Sequence, residues 1–426
     1  MSSDVSFAQV KKFPPLMWIL LFGSFITRGS FYMVWPFLAV ILYEKFGLSA
    51  TEVGSILSLA AVISVLTSFI GSTLSDKLGR KPMMYATGAL YIVSFSLLAE
   101  ADSVLMFAIV ITLCSIATSL WRPLTSALIG DIIDDKAVRE LAMQSLYFAV
   151  NVGCAIGPML GVWLGLTGEQ SSFYITVYAF ALLLVLLFLG FRHQEKLTVS
   201  RAQESQISKS DSELPQDKTE EPGFRQTLKI LAKDKLLQCL ILANVLCLFV
   251  YGQMDSSLIQ YLSREGVPEL LELISSMIFT NALIIISFQF VLLKLMANRP
   301  ILVRIRFGLI LLMASQLWFA ANPLTFFWGW IGAVVIMSLA EAILFPTMNV
   351  HVDQIAPQHL RGAYFGATSF YDLGFALAPL GGGIILDMLN GTWLFAISSI
   401  LVVGVFALYM VMDKLKRPDF VEQTAN

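Results

Sequence analysis

The chain alternates between long apolar runs and short polar segments. Most of the runs hold about 20 residues or more, which as α-helices is enough to cross the hydrocarbon core of a membrane. The runs lie at 15–42, 52–75, 83–101, 103–130, 140–166 and 172–191 and, after a polar stretch, at 236–262, 269–296, 301–320, 323–350, 362–389 and 392–413. This pattern predicts an all-α integral membrane protein with twelve transmembrane helices in two sets of six.

The composition agrees with a membrane protein. Apolar residues make up 57% of the 426 residues and charged residues 14%, whereas an ordinary soluble domain has about 25% charged residues. So few charges could not cover the surface of a soluble protein, which excludes a soluble enzyme and a nucleic-acid binder. The net charge of −2 indicates no polyanionic partner.

The distribution of Lys and Arg orients the spans. If both termini are cytoplasmic, 24 of the 28 Lys and Arg residues lie on the cytoplasmic side, while Lys45 and Arg264 lie outside and Arg28 and Arg122 fall within spans. The positive-inside rule requires such an asymmetry, and one missed span would invert half of it. We therefore expect a multi-pass protein with both termini in the cytoplasm.

A polar stretch separates the two halves. Residues 192–225 hold six Lys or Arg, seven Asp or Glu and only six clearly apolar residues, too few apolar groups to build a core. We predict an N-terminal six-helix bundle at 1–191, a mostly disordered cytoplasmic linker at 192–235 and a C-terminal six-helix bundle at 236–426. The linker is interpreted as a tether or a regulatory segment, with a candidate surface helix at 224–235.

The two halves repeat at a spacing of about 222 residues. An Asp precedes an Arg by eight residues in both halves, and a Gly/Pro pattern follows; the matching positions are Asp131, Arg139, Gly153, Gly157, Pro158 and Gly161 with Asp353, Arg361, Gly374, Ala378, Pro379 and Gly382. Six spans repeated in the same orientation predict two bundles related by a pseudo-two-fold axis along the membrane normal. Folds of this kind place a substrate site between the halves and rock one half against the other.

Three segments carry a family resemblance. They are GSTLSDKLGRKP at 71–82, GCAIGPMLG at 153–161 and WRPLTSALIGDIIDDKAVRELA from Trp121. The chain resembles the major facilitator superfamily over nearly its whole length, and most closely the twelve-helix bacterial drug/proton antiporter group. The resemblance implies that the protein has the major facilitator fold, lies in the bacterial inner membrane and transports its substrate by alternating access.

The first and third segments are similar to the superfamily's cytoplasmic loop signatures. The resemblance implies a charge cluster that closes the cytoplasmic side, formed by Asp76, Arg80, Lys81, Asp131 and Arg139. In the second half, Lys294 stands at the position that corresponds to Asp76. The cytoplasmic charge cluster is therefore expected to be asymmetric between the halves. The usual span-four Arg of the superfamily is missing, since Arg122 lies deeper toward the cytoplasm.

The second segment is similar to the signature associated with antiporters in this superfamily. Its glycines allow close helix packing, and its proline removes a backbone donor; the residues are Gly153, Gly157, Pro158 and Gly161. We expect it to bring span five close to span eight or eleven on the periplasmic side. The match favours antiport and therefore export.

Five ionisable residues lie well inside spans: Arg28, Arg122, Asp255, Glu341 and Asp372. A charge that faces lipid is costly, so each should face a cavity or a partner. Four of the five fall on spans one, four, seven and ten, which the resemblance implies line the cavity.

Several pairings of these charges are open. Arg28 could pair with Asp255 or Asp372, and Arg122 could face Glu341 across the two-fold axis. An acid that gains or loses an Arg partner as the halves rock would release or bind a proton. Glu341 is the first candidate for this proton coupling and Asp255 the second, while Asp372 matches Asn151 in the repeat. A static ion pair that orients helices is the alternative for each acid.

Aromatic residues near these charges are candidates for a substrate cavity: Tyr32, Trp35, Trp121, Tyr251 and Phe345. Aromatic walls with a few charges suit amphipathic or cationic organic molecules. The chain has no Walker loop and no His residues at metal-ligand spacing, so we expect no cofactor, no metal and no enzymatic activity.

These observations predict a proton-coupled exporter of small organic or amphipathic molecules. Its expected partners are the lipid bilayer, a small organic substrate and protons, and the protein is expected to be monomeric. A siderophore or peptide exporter and a proton-coupled importer on the same fold are alternatives. A membrane sensor that transports nothing is disfavoured by the charges inside the spans.

Overall fold

The computed structural model describes most of the chain. It covers residues 10–166, 169–205, 231–357, 364, 367–412, 414 and 415, and within these the side chains of all residues but 68–77, 136, 137, 140, 196–205, 290, 293 and 353. All structural statements below concern these residues.

Twelve helical segments of the described chain are long and apolar enough to cross a membrane, which confirms the predicted fold class. We number them spans one to twelve in chain order. Their helices run Pro15–Val34 with Leu38–Phe46, Ala50–Leu78, Arg80–Ala99, Val104–Ile132, Lys136–Trp163, Phe173–Ser205, Lys235–Gly252 with Ile259–Arg264, Leu270–Met296, Ile301–Ala321, Phe327–Ile355, Asp372–Met388 and Gly391–Met412.

The helix ends agree with the predicted ends to within a few residues, except at span six and at the start of span eleven. The apolar run of span eleven starts at residue 362, but its helix begins at Asp372 after a 3-10 turn, Thr368–Tyr371. The helix of span six continues to Ser205, so residues 192–205, which we expected to be mostly disordered linker, are helical. Residues 206–230 of the predicted linker lie outside the described residues.

Spans one and seven, which are equivalent in the repeat, are both interrupted. In span one a 3-10 turn, Trp35–Phe37, contains Pro36 and separates two helices, since proline lacks the N–H group that an α-helix needs. In span seven a π-helical turn, Met254–Leu258, likewise separates two helices. Such π turns occur often at functional sites, and this one contains Asp255.

Each half has its own apolar core. The N-terminal core is built on side chains such as Phe95, Phe107 and Phe173, and the C-terminal core on Trp330 and Tyr409. Span one connects them, because its residues Phe37 and Val40 belong to the C-terminal core. Its Tyr32 packs against both cores. The halves are therefore two packed units, and span one contributes side chains to both cores.

The glycines of GCAIGPMLG pack span five against span one. A Cβ atom at Gly157 would overlap the backbone carbonyl of Gly29, and one at Gly153 would overlap the carbonyl oxygen of Phe25. Span five also packs against span eight, as expected. Gly153 and Gly157 do not make that contact; they pack against span one and stabilise the N-terminal bundle from within. Pro158 lies inside a helix that continues to Trp163.

The C-terminal half repeats this contact. A Cβ atom at Gly374 in span eleven would overlap the carbonyl oxygen of Val245 in span seven. Since Gly374 matches Gly153 in the sequence repeat, the same close approach of two helix backbones is built into both bundles. Close backbone approach through small residues is the main way in which helices associate in a membrane.

We predict that Gly157→Leu destabilises the protein while Gly404→Leu does not. The larger side chain must push spans one and five apart, which by analogy with overpacked cores costs about 1–3 kcal/mol or more. Gly404 is a suitable control, because a Cβ atom there meets nothing within 4 Å. Thermal denaturation in detergent, followed by size-exclusion chromatography, measures the difference. Equal midpoints for both variants and the wild type would contradict the assignment of this contact.

Candidate functional site

The two ends of the bundle differ. The first residues of span one and the last residues of spans four and twelve lie at one end, which we call the termini end. The turns between spans one and two and between spans eleven and twelve lie at the other, which we call the far end. The interfaces between the halves are described from the far end to the termini end.

At the far end the halves are joined through Asp387 of span eleven. Its carboxylate accepts hydrogen bonds from the backbone N–H groups of Ala50 (3.0 Å) and Thr51 (2.7 Å) at the start of span two. A carboxylate at a helix N-terminus satisfies free N–H groups and is favoured by the helix dipole. Further along the same interface, the N–H group of Leu380 donates to Ser58 Oγ at 2.9 Å.

Backbone contacts close this interface tightly. A Cβ atom at Gly54 would overlap the carbonyl group of Pro379, and one at Gly383 would overlap the carbonyl group of Ala50. Spans two and eleven therefore approach each other with no side chain between their backbones. Nothing larger than a hydrogen atom fits at these points.

Arg264 at the end of span seven makes a second connection between the halves. Its guanidinium group donates to the carbonyl oxygen of Leu48 at 2.8 Å and lies 4.4 Å from the centre of the Tyr43 ring. Spans one and seven are thus held together at the same end as spans two and eleven.

A cavity of about 380 Å³ lies between the halves toward the termini end. Its N-terminal wall includes Arg122 and Tyr147, and its C-terminal wall includes Glu341, Phe345 and Asn349. The structure therefore brings Arg122 and Glu341 to one cavity. Within the described residues they form no ion pair within 4 Å, so they face each other across the space.

Glu341 is held in place by two neighbours. The Tyr251 hydroxyl donates to Glu341 Oε2, and Asn281 Nδ2 donates to the same oxygen at 2.8 Å. Asn281 is also 3.1 Å from Ser338 Oγ. The half-buried carboxyl group is thus positioned from spans seven and eight, with Oε1 left for the cavity.

Asn281 was not identified from the sequence. An amide in the middle of the apolar run of span eight is the signal that could have revealed it, since buried polar groups need hydrogen-bond partners. Asp387 was missed as well, because an acid at the end of a span looks like an ordinary loop residue.

Asp255 and Arg28 lie elsewhere between the halves. The side chain of Asp255 is exposed on the π turn, yet it interacts electrostatically with Tyr32 and Cys154 of the N-terminal half. Arg28 is half-buried, interacts with the same two residues and lies 5.7 Å from the centre of the Phe31 ring.

The expected ion pairs of Arg28 are not formed in this conformation. Within the part of the chain that the structure describes, neither Asp255 nor Asp372 lies within 4 Å of its guanidinium group. Asp372 interacts electrostatically with Arg122 instead, also beyond ion-pair distance. Its counterpart Asn151 donates to the carbonyl oxygen of Tyr147 in its own helix at 2.8 Å.

The candidate aromatic residues divide into two groups. Tyr251 and Phe345 pack edge to face at 5.1 Å beside Glu341. Trp121, in contrast, is only 6% exposed and packs edge to face on Phe180 at 5.4 Å. The prediction that Trp121 lines the substrate cavity was wrong, because its ring packs into the N-terminal core.

Trp35 and Tyr32 occupy the edge of the N-terminal core. The Trp35 ring stacks on Phe31 at 4.8 Å and is half-buried against the N-terminal core. Tyr32, which packs on both cores, is the aromatic residue of span one that lies at the interface between the halves.

The charge cluster at the termini end is formed only in part. Arg80 Nε lies 3.4 Å from Asp131 Oδ2, and Lys81 Nζ lies 2.5 Å from Glu195 Oε1. Arg139 does not join them through Asp131; it donates to the carbonyl oxygens of Ile133 (2.9 Å) and Asp134 (3.0 Å).

These contacts all lie within the N-terminal half. Arg139 does not pair with Asp131, because the turn after span four offers it two backbone carbonyl groups. The side chains of Asp76 and Asp353, and the whole of Arg361, lie outside the described residues.

Comparisons with known proteins agree with this architecture. A sequence model of the family described as the Major Facilitator Superfamily matches residues 20–372. The chain is 28% identical over 382 residues to an uncharacterised MFS-type transporter, YqjV, of Bacillus subtilis strain 168, covering 89% of this chain and 88% of that one. It is 25% identical over 399 residues to a Na⁺, Li⁺, K⁺/H⁺ antiporter of Planococcus maritimus, covering 87% and 90%.

A solved structure supports the fold alone. A peptide transporter POT in complex with sulfate matches with a TM-score of 0.73 at 15% sequence identity, covering 94% of each chain.

We predict that Asp387→Ala opens the far end. Loss of a helix-capping side chain costs about 1 kcal/mol, which corresponds to about a five-fold shift in a two-state equilibrium. In a cysteine-free background, a cysteine replacing the buried Ser58 should react faster with an impermeant maleimide added at the far end. Asp102→Ala removes an exposed acid at the same end and is the control. Equal reaction rates in the two variants would show that Asp387 does not hold the interface.

Proposed function

The chain belongs to the Major Facilitator Superfamily, and from this we propose that it is a proton-coupled transporter that exports small organic molecules across the bacterial inner membrane. It is a multi-pass membrane transporter of that superfamily with twelve spans. The observation that carries the proposal is the position of Glu341, which Tyr251 and Asn281 hold at a cavity wall opposite Arg122.

The conformation fits loading from the cytoplasm. The far end is closed by Asp387 and by the backbone contacts of spans two and eleven, and the cavity lies toward the termini end. The excess of Lys and Arg assigns the termini end to the cytoplasm. The structure then corresponds to an inward-facing state, in which substrate enters from the cytoplasm.

Glu341 couples substrate to protons by competition in this proposal. Its carboxylate holds either a proton or the positive group of a substrate, because one carboxylate cannot stabilise both. Substrate that enters from the cytoplasm displaces the proton into cytoplasmic water. After the halves rock and the far end opens, a proton from the outer side replaces the substrate.

Export is favoured over import by two observations. The segment GCAIGPMLG resembles the antiporter signature of the superfamily, and the Planococcus relative is named as an antiporter. In an antiporter, the inward flow of protons drives the other solute outward.

We predict that Glu341→Gln abolishes proton-coupled transport while substrate binding remains measurable. Glutamine keeps an oxygen that can accept from Tyr251 and Asn281 but cannot exchange a proton. The measurement is dissipation of a pH gradient in everted vesicles after addition of tetraphenylphosphonium, norfloxacin, sodium chloride or potassium chloride. Glu272→Gln, at an exposed position in the first turn of span eight, is the matched control.

The outcomes separate the candidate functions. Unchanged dissipation in Glu341→Gln removes this residue from the coupling. If only the alkali chlorides dissipate the pH gradient, the function is cation/proton antiport rather than export of organic molecules. Accumulation of substrate in whole cells gives the direction: expression should lower accumulation, and a protonophore should abolish the effect. Higher accumulation that a protonophore abolishes would establish the importer.

A further inference from the structure

The five ionisable residues that lie well inside the spans are sorted by sign between the two halves. Both cations, Arg28 and Arg122, belong to the N-terminal half, and the three acids, Asp255, Glu341 and Asp372, belong to the C-terminal half. Among the side chains that the structure describes, none of the five forms an ion pair within 4 Å. Unpaired charges at this depth are costly, so the arrangement calls for a ligand that satisfies both signs.

The N-terminal side of this space is positive. Arg122 is exposed on the cavity wall. Arg28 is half-buried beside Tyr91, Tyr32 and Cys154, and its guanidinium group lies 5.7 Å from the centre of the Phe31 ring. The neighbours of Arg28 are neutral, so neither arginine has its charge compensated by its own half.

The C-terminal side is negative. Asp255 is exposed on the π turn and has no hydrogen-bond partner within the described residues. Glu341 accepts two hydrogen bonds from neutral groups on Oε2 alone. Both acids interact electrostatically with Tyr32 of span one, which places them toward the N-terminal half rather than toward lipid.

We propose that the space between the halves, which includes the cavity beside Arg122 and Glu341, selects amphoteric molecules that carry an amine and an acidic group at opposite ends. The anionic group binds at Arg28 or Arg122, and the ammonium group binds at Asp255 or Glu341. This assignment of a substrate class rests on the proposed transport function. It differs from a plain organic-cation exporter, whose cavity would not need two unpaired arginines.

The physical reason is the opposite sign of the two walls. A monovalent cation is attracted by the acids and repelled by the arginines, whereas an amphoteric molecule is attracted at both ends. Because it contacts both halves, such a ligand also stabilises a conformation in which the halves are closer together. A ligand shifts a conformational equilibrium only through such differential contacts.

The test uses three compounds that share one ring and differ in which charged groups they carry. They are 4-(aminomethyl)benzoic acid, its methyl ester and its N-acetyl derivative, together with the corresponding series built on biphenyl, which separates the two charges further. Binding to the purified full-length protein is measured by thermal shift and microscale thermophoresis. We expect the amphoteric member of at least one series to bind about ten-fold more tightly than its ester and its N-acetyl derivative.

Charge-neutral variants assign the two ends. Arg28→Gln and Arg122→Gln should weaken binding of the amphoteric compound about ten-fold and leave the ester unaffected or tighter. Asp255→Asn should weaken the amphoteric compound and the ester but not the N-acetyl derivative. Arg192→Gln is the control, because Arg192 is exposed on the helix of span six and its guanidinium group lies 4.5 Å from the centre of the Phe188 ring.

Three results would overturn the proposal: equal affinity for the ester and the amphoteric compound, no effect of either arginine variant, or no binding in both series. Its failure is distinguishable from failure of the proposed function. If organic cations dissipate the pH gradient but the protein shows no preference for amphoteric compounds, the proposed proton-coupled transport stands and only the substrate class is wrong. If amphoteric compounds bind selectively but cause no proton flux, the binding site is supported and the proposed proton-coupled transport is contradicted.

Discussion

The cost of placing a charge in hydrocarbon is the constraint on which the rest of the structure depends. Five ionisable side chains within spans cannot face lipid, and the structure places them toward the space between the two bundles. Water can enter that space only if the bundles stay apart there. The cavity beside Glu341 and Arg122 provides such a space, and it can be filled by a charged or polar solute.

The far end shows the opposite arrangement. Spans two and eleven meet there through glycines, with the carboxylate of Asp387 on the free N–H groups of Ala50 and Thr51. Inside each bundle, equivalent glycines hold spans one and five, and spans seven and eleven, at backbone distance. Tight packing within each half and a hydrogen-bonded contact between them allow the halves to move as units.

The sequence predicted the spans, the repeat and the common cavity of Arg122 and Glu341 because hydropathy, loop charge and buried charge each depend on position along the chain. Prediction from the sequence failed for contacts that depend on how a helix is rotated about its own axis. Gly157 contacts span one rather than span eight or eleven, and Trp121 points into the core. Asn281 and Asp387 were missed because each acts on a residue of a distant span.

The most direct test of the account is proton release on substrate binding by purified protein in weakly buffered detergent. Competition at Glu341 predicts that a saturating substrate releases about one proton per bound molecule at a pH where the carboxyl group is protonated. It also predicts that Glu341→Gln binds the substrate without proton release. Equal proton release from the wild type and the variant would contradict the central claim that Glu341 exchanges a proton for the substrate.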